Sequence, residues 1–220
     1  MKKFILSFIF AFTAIFSINA QSFQIHQSYN DNKSAWGSTR LISDYFWVSD
    51  NGKWNVFSWN SFSQNGISGL LYGERQINET NFFVHAEVRA QFGNFEYSTI
   101  TPEIGFAYLI PWEGGASIYV TPKYVYNDVY FNKHDFQLSI NSSYENDYVY
   151  YEGYFDTNWV KAMSFFTEQK GYYKITENFQ IGVCVVADGY RAKISDFLGA
   201  DIISTRAHIQ PYLSLRVSLY

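Results

Sequence analysis

The clearest pattern in the chain lies at its end, in the stretch Ala207-His208-Ile209-Gln210-Pro211-Tyr212-Leu213-Ser214-Leu215-Arg216-Val217-Ser218-Leu219-Tyr220. Apolar residues occupy every second position from Ala207 to Leu219, and mostly polar residues stand between them. A period of two puts these two sets on opposite faces of a β-strand. Because the alternation runs to the end of the sequence, we expect lipid to cover the apolar face. Backbone N–H and C=O groups find no water in lipid, so this strand must pair on both edges, which predicts that it closes a transmembrane β-barrel.

The preceding sequence divides into similar alternating segments of about ten residues, the length that a tilted transmembrane strand requires. The most regular segment sets Phe82, Val84, Ala86, Val88, Ala90 and Phe92 against Phe83, His85, Glu87, Arg89 and Gln91. In the third and fourth segments, residues 54–62 and 67–77, the sequence does not decide which face points inward, because aromatic residues or glycines interrupt the alternation. We count about twelve segments, and single-chain bacterial barrels have an even number of strands. The predicted fold class is therefore all-β, an antiparallel transmembrane β-barrel of the outer-membrane type over residues 21–220.

The connections between the segments alternate in length. Tight turns follow segments two, four, six, eight and ten, and several of the other connections are longer, which is typical of outer-membrane barrels. Asn51-Gly52, between segments two and three, is a strong hairpin signal and predicts a turn in which both residues have positive φ. The longest loop is predicted at residues 189–201, before the closing strand.

Residues 1–20 have the layout of a secretory signal peptide. Lys2 and Lys3 precede an apolar run over residues 4–18, and a small-residue cleavage site ends at Ala20. The apolar run is shorter than the roughly 20 residues that a transmembrane helix needs. We therefore expect an exported protein, with one mature domain, located in the outer membrane of a Gram-negative-type bacterium. Its expected partners are outer-membrane lipid and, during insertion, the barrel-assembly machinery.

The composition narrows the possible classes of function. Aromatic residues make up 21% of the chain, which suits a barrel with aromatic girdles at two interfaces and also a secreted β-sandwich. The formal charge of −4 becomes −6 when Lys2 and Lys3 are removed with the signal, so a nucleic-acid-binding surface is not expected. Cys184 is the single cysteine, which excludes an internal disulfide and a metal site built from several cysteines.

The chain as a whole resembles the nucleoside-specific, channel-forming outer-membrane porins of the Tsx type, and the small uncharacterised barrels related to them. The resemblance covers the whole mature chain and includes the segments Ile67-Ser68-Gly69-Leu70-Leu71-Tyr72-Gly73-Glu74-Arg75 and Thr101-Pro102-Glu103-Ile104-Gly105-Phe106-Ala107-Tyr108. It implies a channel for nucleosides, and it carries over no binding residue because these segments hold no specific motif. Tyr220 supplies a terminal aromatic residue, although the apolar alternation ends one position earlier, at Leu219.

Alternation of lipid-facing and lumen-facing residues forces polar groups inward, so the inward face holds the candidates for contact with a solute. They are His85, Glu87, Arg89, Glu103, Tyr119, Lys123, Tyr150, Glu152, Tyr154, Asp156, Glu168 and Lys170. Aromatic faces can stack on a planar solute and tyrosine hydroxyls can bond its polar edge. The predicted function is a narrow passive channel for small, neutral or weakly charged solutes, nucleoside-like in the most specific form. The alternative is a structural or surface-interaction barrel whose paired charges plug the lumen.

Catalysis and metal binding are not expected from the sequence, and no cofactor is implied. His26 and Ser28 are a histidine and a serine two residues apart on one strand face, and both should face the lumen, whereas a lipid-modifying hydrolase needs its nucleophile at the lipid boundary. That hydrolase is the weakest of the three interpretations. The histidines, at positions 26, 85, 134 and 208, lie on separate segments without metal-ligand spacing.

Overall fold

A computed structural model describes residues 22–28, 39–64, 66–93, 99–112, 114–128, 133–158, 163–195 and 201–219 of the chain. The predicted signal peptide, residues 1–20, and the terminal Tyr220 lie outside the described residues. No helix within the described part is long and apolar enough to cross a membrane.

Twelve antiparallel strands form a closed barrel, which confirms the predicted fold class. Each strand pairs with its neighbours in sequence, and β1 pairs with β12 to close the ring. The strands are β1 Ser22–Gln27, β2 Thr39–Val48, β3 Trp54–Ser63, β4 Gly66–Gln76, β5 Phe82–Gly93, β6 Thr99–Trp112, β7 Ala116–Asp128, β8 Lys133–Glu145, β9 Val149–Asn158, β10 Met163–Lys174, β11 Phe179–Ser195 and β12 Asp201–Ser218.

The register sorts charged side chains to the inner face of the barrel, because cross-strand partners point to the same side of a sheet. Among strand residues whose side chains are described, only Arg75 carries a charge on the outer face, where its guanidinium lies 5.3 Å from the ring centroid of Trp54. Of the side chains that are described, sixteen charged ones point inward: Arg40, Asp44, Glu74, Glu87, Arg89, Glu103, Lys123, Asp135, Glu145, Glu152, Asp156, Glu168, Lys170, Lys174, Asp188 and Arg216.

The outer face carries the apolar residues that the alternation predicts. Ile209, Val183, Phe106 and Ile104 are each more than half exposed, and their cross-strand positions place them on the outside. A barrel whose outer wall is apolar and whose charges lie inside matches a lipid-facing exterior.

The third and fourth strands, whose facing the sequence left open, turn aromatic side chains into the lumen. Phe57 and Tyr72 pack with ring centroids 5.2 Å apart, and Tyr72 lies 5.1 Å from the His85 ring. Trp59 also points inward, with the Arg40 guanidinium 5.8 Å from its ring centroid. The inward aromatic residues of β3 and β4 therefore pack against side chains of neighbouring strands.

A polar cluster on the outer wall is satisfied by its own hydrogen bonds. The Tyr151 hydroxyl donates to Gln169 Oε1 at 2.5 Å, and Gln169 Nε2 donates to Thr167 Oγ1 at 2.7 Å. These side chains lie around Gly153, whose missing Cβ leaves room for them, since an added Cβ would lie 2.7 Å from Ser142 Oγ. Polar atoms that face lipid need such internal partners because no water is available.

Two predictions about connections are wrong. The predicted loop at residues 189–201 is mostly strand, because β11 continues to Ser195 and β12 begins at Asp201, and the two pair from Ser195 and Asp201 onward. This polar, glycine-containing stretch lacks an apolar alternation, so the sequence resembles a loop although its backbone is paired.

The turn between β2 and β3 is a hairpin, as predicted, but its geometry differs. Gly52 has a φ of 67°, whereas Asn51 does not have positive φ. The Asn51 side chain instead accepts a hydrogen bond from the Lys53 backbone N–H at 3.1 Å. Two successive residues with positive φ occur in the next tight turn, at Asn78 (46°) and Glu79 (60°), where Thr80 N donates to Ile77 O at 2.9 Å. That is the arrangement of a type I′ turn.

The facing of β5 predicts that Val88→Arg destabilises the barrel by about 2–4 kcal/mol, because Val88 lies outside at the middle of its strand and a charge there meets lipid. Val88→Leu, which keeps the site apolar, is the matched control and should change stability by less than about 0.5 kcal/mol. Denaturant titration of protein folded in lipid vesicles measures both. Equal stability of the two variants would contradict the facing.

The strained turn predicts that Glu79→Gly stabilises the protein by roughly 0.5–1 kcal/mol, because a non-glycine residue at positive φ carries a steric cost that glycine avoids. Glu177→Gly is the matched control, in the turn after β10 and without positive φ, and should destabilise by a similar amount. The same titration separates the two, and a loss of stability in Glu79→Gly would rule out the described turn.

Candidate functional site

All twelve predicted candidates point into the lumen, and ten of them belong to two clusters of ion pairs and hydrogen bonds. The first cluster, called the β5 cluster, consists of His85, Glu87, Arg89, Glu103, Lys123, Tyr154 and Asp156 together with Glu74. The second, called the β10 cluster, consists of Glu152, Glu168 and Lys170 together with Arg40. Tyr150 adjoins the second cluster, and Tyr119 packs against Phe83 with ring centroids 6.2 Å apart.

Glu87 is the centre of the β5 cluster. Its carboxylate accepts from Arg89 Nε at 2.5 Å and from Lys123 Nζ at 2.9 Å, and lies 3.1 Å from His85 Nε2. Lys123 Nζ also lies 2.8 Å from Glu103 Oε2. The backbone makes room for Lys123 at Gly105, its cross-strand partner, since an added Cβ there would lie 3.0 Å from the Lys123 Cα.

Arg89 extends this cluster across the lumen. Its guanidinium donates to Asp156 and to the Tyr154 hydroxyl on β9, and three strands of the ring lie between β5 and β9. Asp156 also accepts from the hydroxyls of Tyr154 and Ser139. Arg89 therefore bridges two walls that the sheet does not connect directly.

Arg40 makes a second crossing, from β2 to β10, again with three strands between them. Its Nη2 donates to Glu168 at 2.9 Å, and Lys170 lies 2.9 Å from the other carboxylate oxygen of Glu168. The guanidinium sits between aromatic rings, 5.8 Å from Trp59 and 5.7 Å from Tyr212. Ion pairing and ring contacts together fix this buried arginine in one position.

Hydrogen bonds extend the β10 cluster to β1. Gln24 Nε2 donates to Asp44 at 3.0 Å and lies 3.5 Å from Glu152. The Tyr172 hydroxyl donates to Gln24 Oε1 at 3.0 Å, and the Tyr150 hydroxyl donates to Glu152 at 2.7 Å. The interior thus has a continuous hydrogen-bonded network along the β1, β9 and β10 walls.

Several residues of these clusters were absent from the predicted candidates. Arg40, Asp44 and Arg216 face inward, as the alternation predicts, although they were not among the candidates for solute contact. Arg216 stacks on the Tyr150 ring at 4.3 Å. Glu74 and Trp59, on the strands whose facing the sequence left open, were also missed, and the role of the Gln24 amide depends on partners from the distant strands β9 and β10.

Water reaches the clusters at a few side chains. Arg89 and Glu152 are each about a quarter exposed, at 25% and 26%, whereas the side chains of Glu87, Lys123, Glu168 and Lys170 are at most 5% exposed. Buried apolar side chains share the interior, among them Ile42, Val125 and Val186. The lumen is therefore narrow and partly filled, with charged groups at the edge of its open space.

Three possible metal ligands from separate strands meet in the β10 cluster. Donor atoms of His26, Glu168 and Cys184 lie within 4.8 Å of one another, which their positions in the sequence did not indicate. Both oxygens of Glu168 are already paired, with Arg40 and with Lys170, each at 2.9 Å. These contacts make the group part of the ion-pair cluster. His26 and Ser28 both face the lumen, as expected, and the Ser28 hydroxyl accepts from Gln210.

Comparison with solved structures finds outer-membrane barrels. The chain is similar to a structure described as "KdgM porin", with 10% identity and a TM-score of 0.52, over 90% of this chain and 99% of that one. A BenF-like porin from Pseudomonas fluorescens Pf-5 has 9% identity and a TM-score of 0.39 over 90% and 63%, and a bacterial polysaccharide outer membrane secretin has 11% and 0.33 over 92% and 99%.

These likenesses concern the fold. The likeness to the KdgM porin agrees with the closed antiparallel barrel described above. No family model matches the chain, and no curated protein matches it. The resemblance to Tsx-type channels stays a prediction.

From the ion pair between Arg40 and Glu168 we predict that Arg40→Met destabilises the barrel by roughly 3 kcal/mol. In that variant Glu168 would keep a single cationic partner in a buried site. In a double-mutant cycle with Glu168→Gln, the coupling energy should be at least about 1 kcal/mol. Denaturant titration in lipid vesicles gives both values.

Glu145→Gln is the matched control for this pair. It breaks an ion pair with Lys174 of 2.6 Å at the rim, where Glu145 is 53% exposed, and should cost less than about 1 kcal/mol. If Arg40→Met cost no more than this control, the crossing ion pair would not be formed in solution.

Proposed function

We propose that the protein is an outer-membrane barrel that forms a narrow, passive channel for small polar solutes. The observation that carries this proposal is the sorting of charge in the described part of the chain, with sixteen charged side chains inside and an apolar wall outside. A polar path inside an apolar shell is what a water-soluble solute needs to cross a lipid layer. Arg89 and Glu152, each about a quarter exposed, place charged groups at the open part of that path.

The proposed channel is narrow for two reasons. A barrel of twelve strands lies between barrels of about eight strands, which side chains can fill, and porins of roughly sixteen strands, which hold a wide aqueous channel. In addition, the crossings by Arg40 and Arg89 subdivide the interior. A solute must pass beside these side chains or displace them.

In its most specific form, the proposal is that the solute is nucleoside-like. Aromatic rings line the inner wall near the clusters, with the rings of Tyr150 and Tyr172 6.0 Å apart and those of Tyr154 and Phe166 also 6.0 Å apart. Such rings can stack on a planar base, and nearby hydroxyls and amides can bond a ribose. Phosphorylated solutes are disfavoured because binding a phosphate calls for clustered cations, whereas the cations of both clusters are paired with carboxylates.

The second candidate is a structural barrel with a plugged lumen. The two crossings and the burial of Glu87, Lys123 and Glu168 favour it. Both candidates predict an inserted, folded barrel, and they differ in whether solutes pass.

Reconstitution in liposomes tests the channel. Uridine should enter faster than uridine monophosphate, which differs by one phosphate, and faster than sucrose, which is larger. Val88→Leu, on the outer wall, is the matched control and should conduct like the unmodified protein. If neither liposome swelling nor planar-bilayer conductance exceeds protein-free controls, the lumen is plugged and the structural candidate stands.

A further inference from the structure

Acidic groups outnumber basic ones inside the barrel. Of the sixteen inward charged side chains that are described, ten are carboxylates and six are lysine or arginine. The carboxylates are Asp44, Glu74, Glu87, Glu103, Asp135, Glu145, Glu152, Asp156, Glu168 and Asp188. The described interior therefore carries a net negative charge while its histidines are neutral.

Three of these carboxylates lie together on one side of the interior. Glu152 and Asp156 on β9 and Glu168 on β10 form what we call the acidic wall. It receives Arg89 and Arg40 from opposite strands, and Lys170 bridges Glu152 and Glu168. The acidic wall therefore already binds two guanidinium groups and one ammonium group.

The acidic wall also borders the open part of the lumen. Glu152 is 26% exposed, and Arg89, which covers Asp156, is 25% exposed. A cation in the lumen can approach these carboxylates, or replace the arginine that pairs with them. Within the acidic wall the three carboxylates and their three cations balance in charge, so a preference for cations comes from the excess of carboxylates in the rest of the described interior.

We propose, on the basis of the channel function above, that the lumen selects cations over anions because its described carboxylates outnumber its described lysines and arginines. The organic solutes that it favours carry a primary ammonium or a guanidinium group, the two groups that the acidic wall holds in the folded protein. Rings of acidic side chains have this effect in other cation channels.

Coulomb's law sets the size of the effect. With the dielectric constant of water, one net negative charge about 8 Å away favours a monovalent cation over a monovalent anion roughly sixfold before salt screening. The described interior has a net excess of four carboxylates, ten against six, but most are paired, so a ratio of this order is expected at low ionic strength.

The test is the zero-current potential of the full-length mature protein in planar bilayers under a KCl gradient. The permeability of K⁺ should exceed that of Cl⁻ several-fold. Glu152→Gln should lower the ratio, and Arg89→Gln should raise it, because the two variants change the charge in opposite directions at neighbouring positions. Glu177→Gln makes the same chemical change as the first variant in an exposed turn outside the lumen, and should leave the ratio unchanged.

A second variant covers the case in which Glu152→Gln does not fold. Asp188→Asn changes an inward carboxylate that is 35% exposed and lies 3.7 Å from His208, away from both clusters, and should also lower the ratio. Folding of each variant is checked by its shift in gel mobility on heating. Replacing K⁺ with guanidinium tests whether organic cations are also favoured, and guanidinium should be more permeant than Cl⁻.

The outcomes separate the two proposals. A conducting channel with a K⁺/Cl⁻ ratio at or below one overturns the selectivity and leaves the channel in place. A ratio above one that none of the lumen variants changes overturns the role of the inward carboxylates. If guanidinium is no more permeant than Cl⁻, the organic cation class is wrong. Absence of any conductance overturns the channel and the selectivity together.

Discussion

The requirement on which the whole structure depends is that every backbone N–H and C=O in lipid has a partner within the protein. In a sheet, the edge strands fail this requirement unless they pair with each other. Pairing of β1 with β12 meets it and closes the twelve strands into a ring. Closure then leaves each side chain two possible environments, lipid or lumen. The sorting of charge follows directly from this choice.

Charges that are forced inward also need partners, and the barrel supplies them across its interior. Glu87 forms ion pairs with Arg89 and Lys123 on its own and a nearby strand. Arg40 and Arg89 also pair with carboxylates on strands that are separated from their own strands by three others. Such long-range pairs tie opposite walls of the barrel together. The groups that stabilise the fold are thus the same groups that a passing solute would meet.

The sequence predicted the parts of the structure that follow from alternation within one strand. The facing of β5 and β12, with residues such as Val88 and Tyr212, needs only a period of two. The facing of β3 and β4 was not predictable, because Phe57 turns inward to pack with Tyr72, and Tyr72 packs in turn with His85 of β5. The crossings of Arg40 and Arg89 depend on the tilt and register of the closed ring, which no local pattern encodes. The extension of β11 to Ser195 was missed because a paired strand without apolar alternation resembles a loop.

Among the described residues, the pairings of β1 with its two neighbours are the shortest of the ring. In the described residues, β1 has six partner pairs with β12 and six with β2, whereas β11 and β12 share seventeen. Local opening of a protein begins where the fewest interactions must be broken at once. Thermal fluctuations of the closed ring therefore concentrate at β1, and amide hydrogen exchange in Ser22–Gln27 should proceed through smaller openings than exchange along β11.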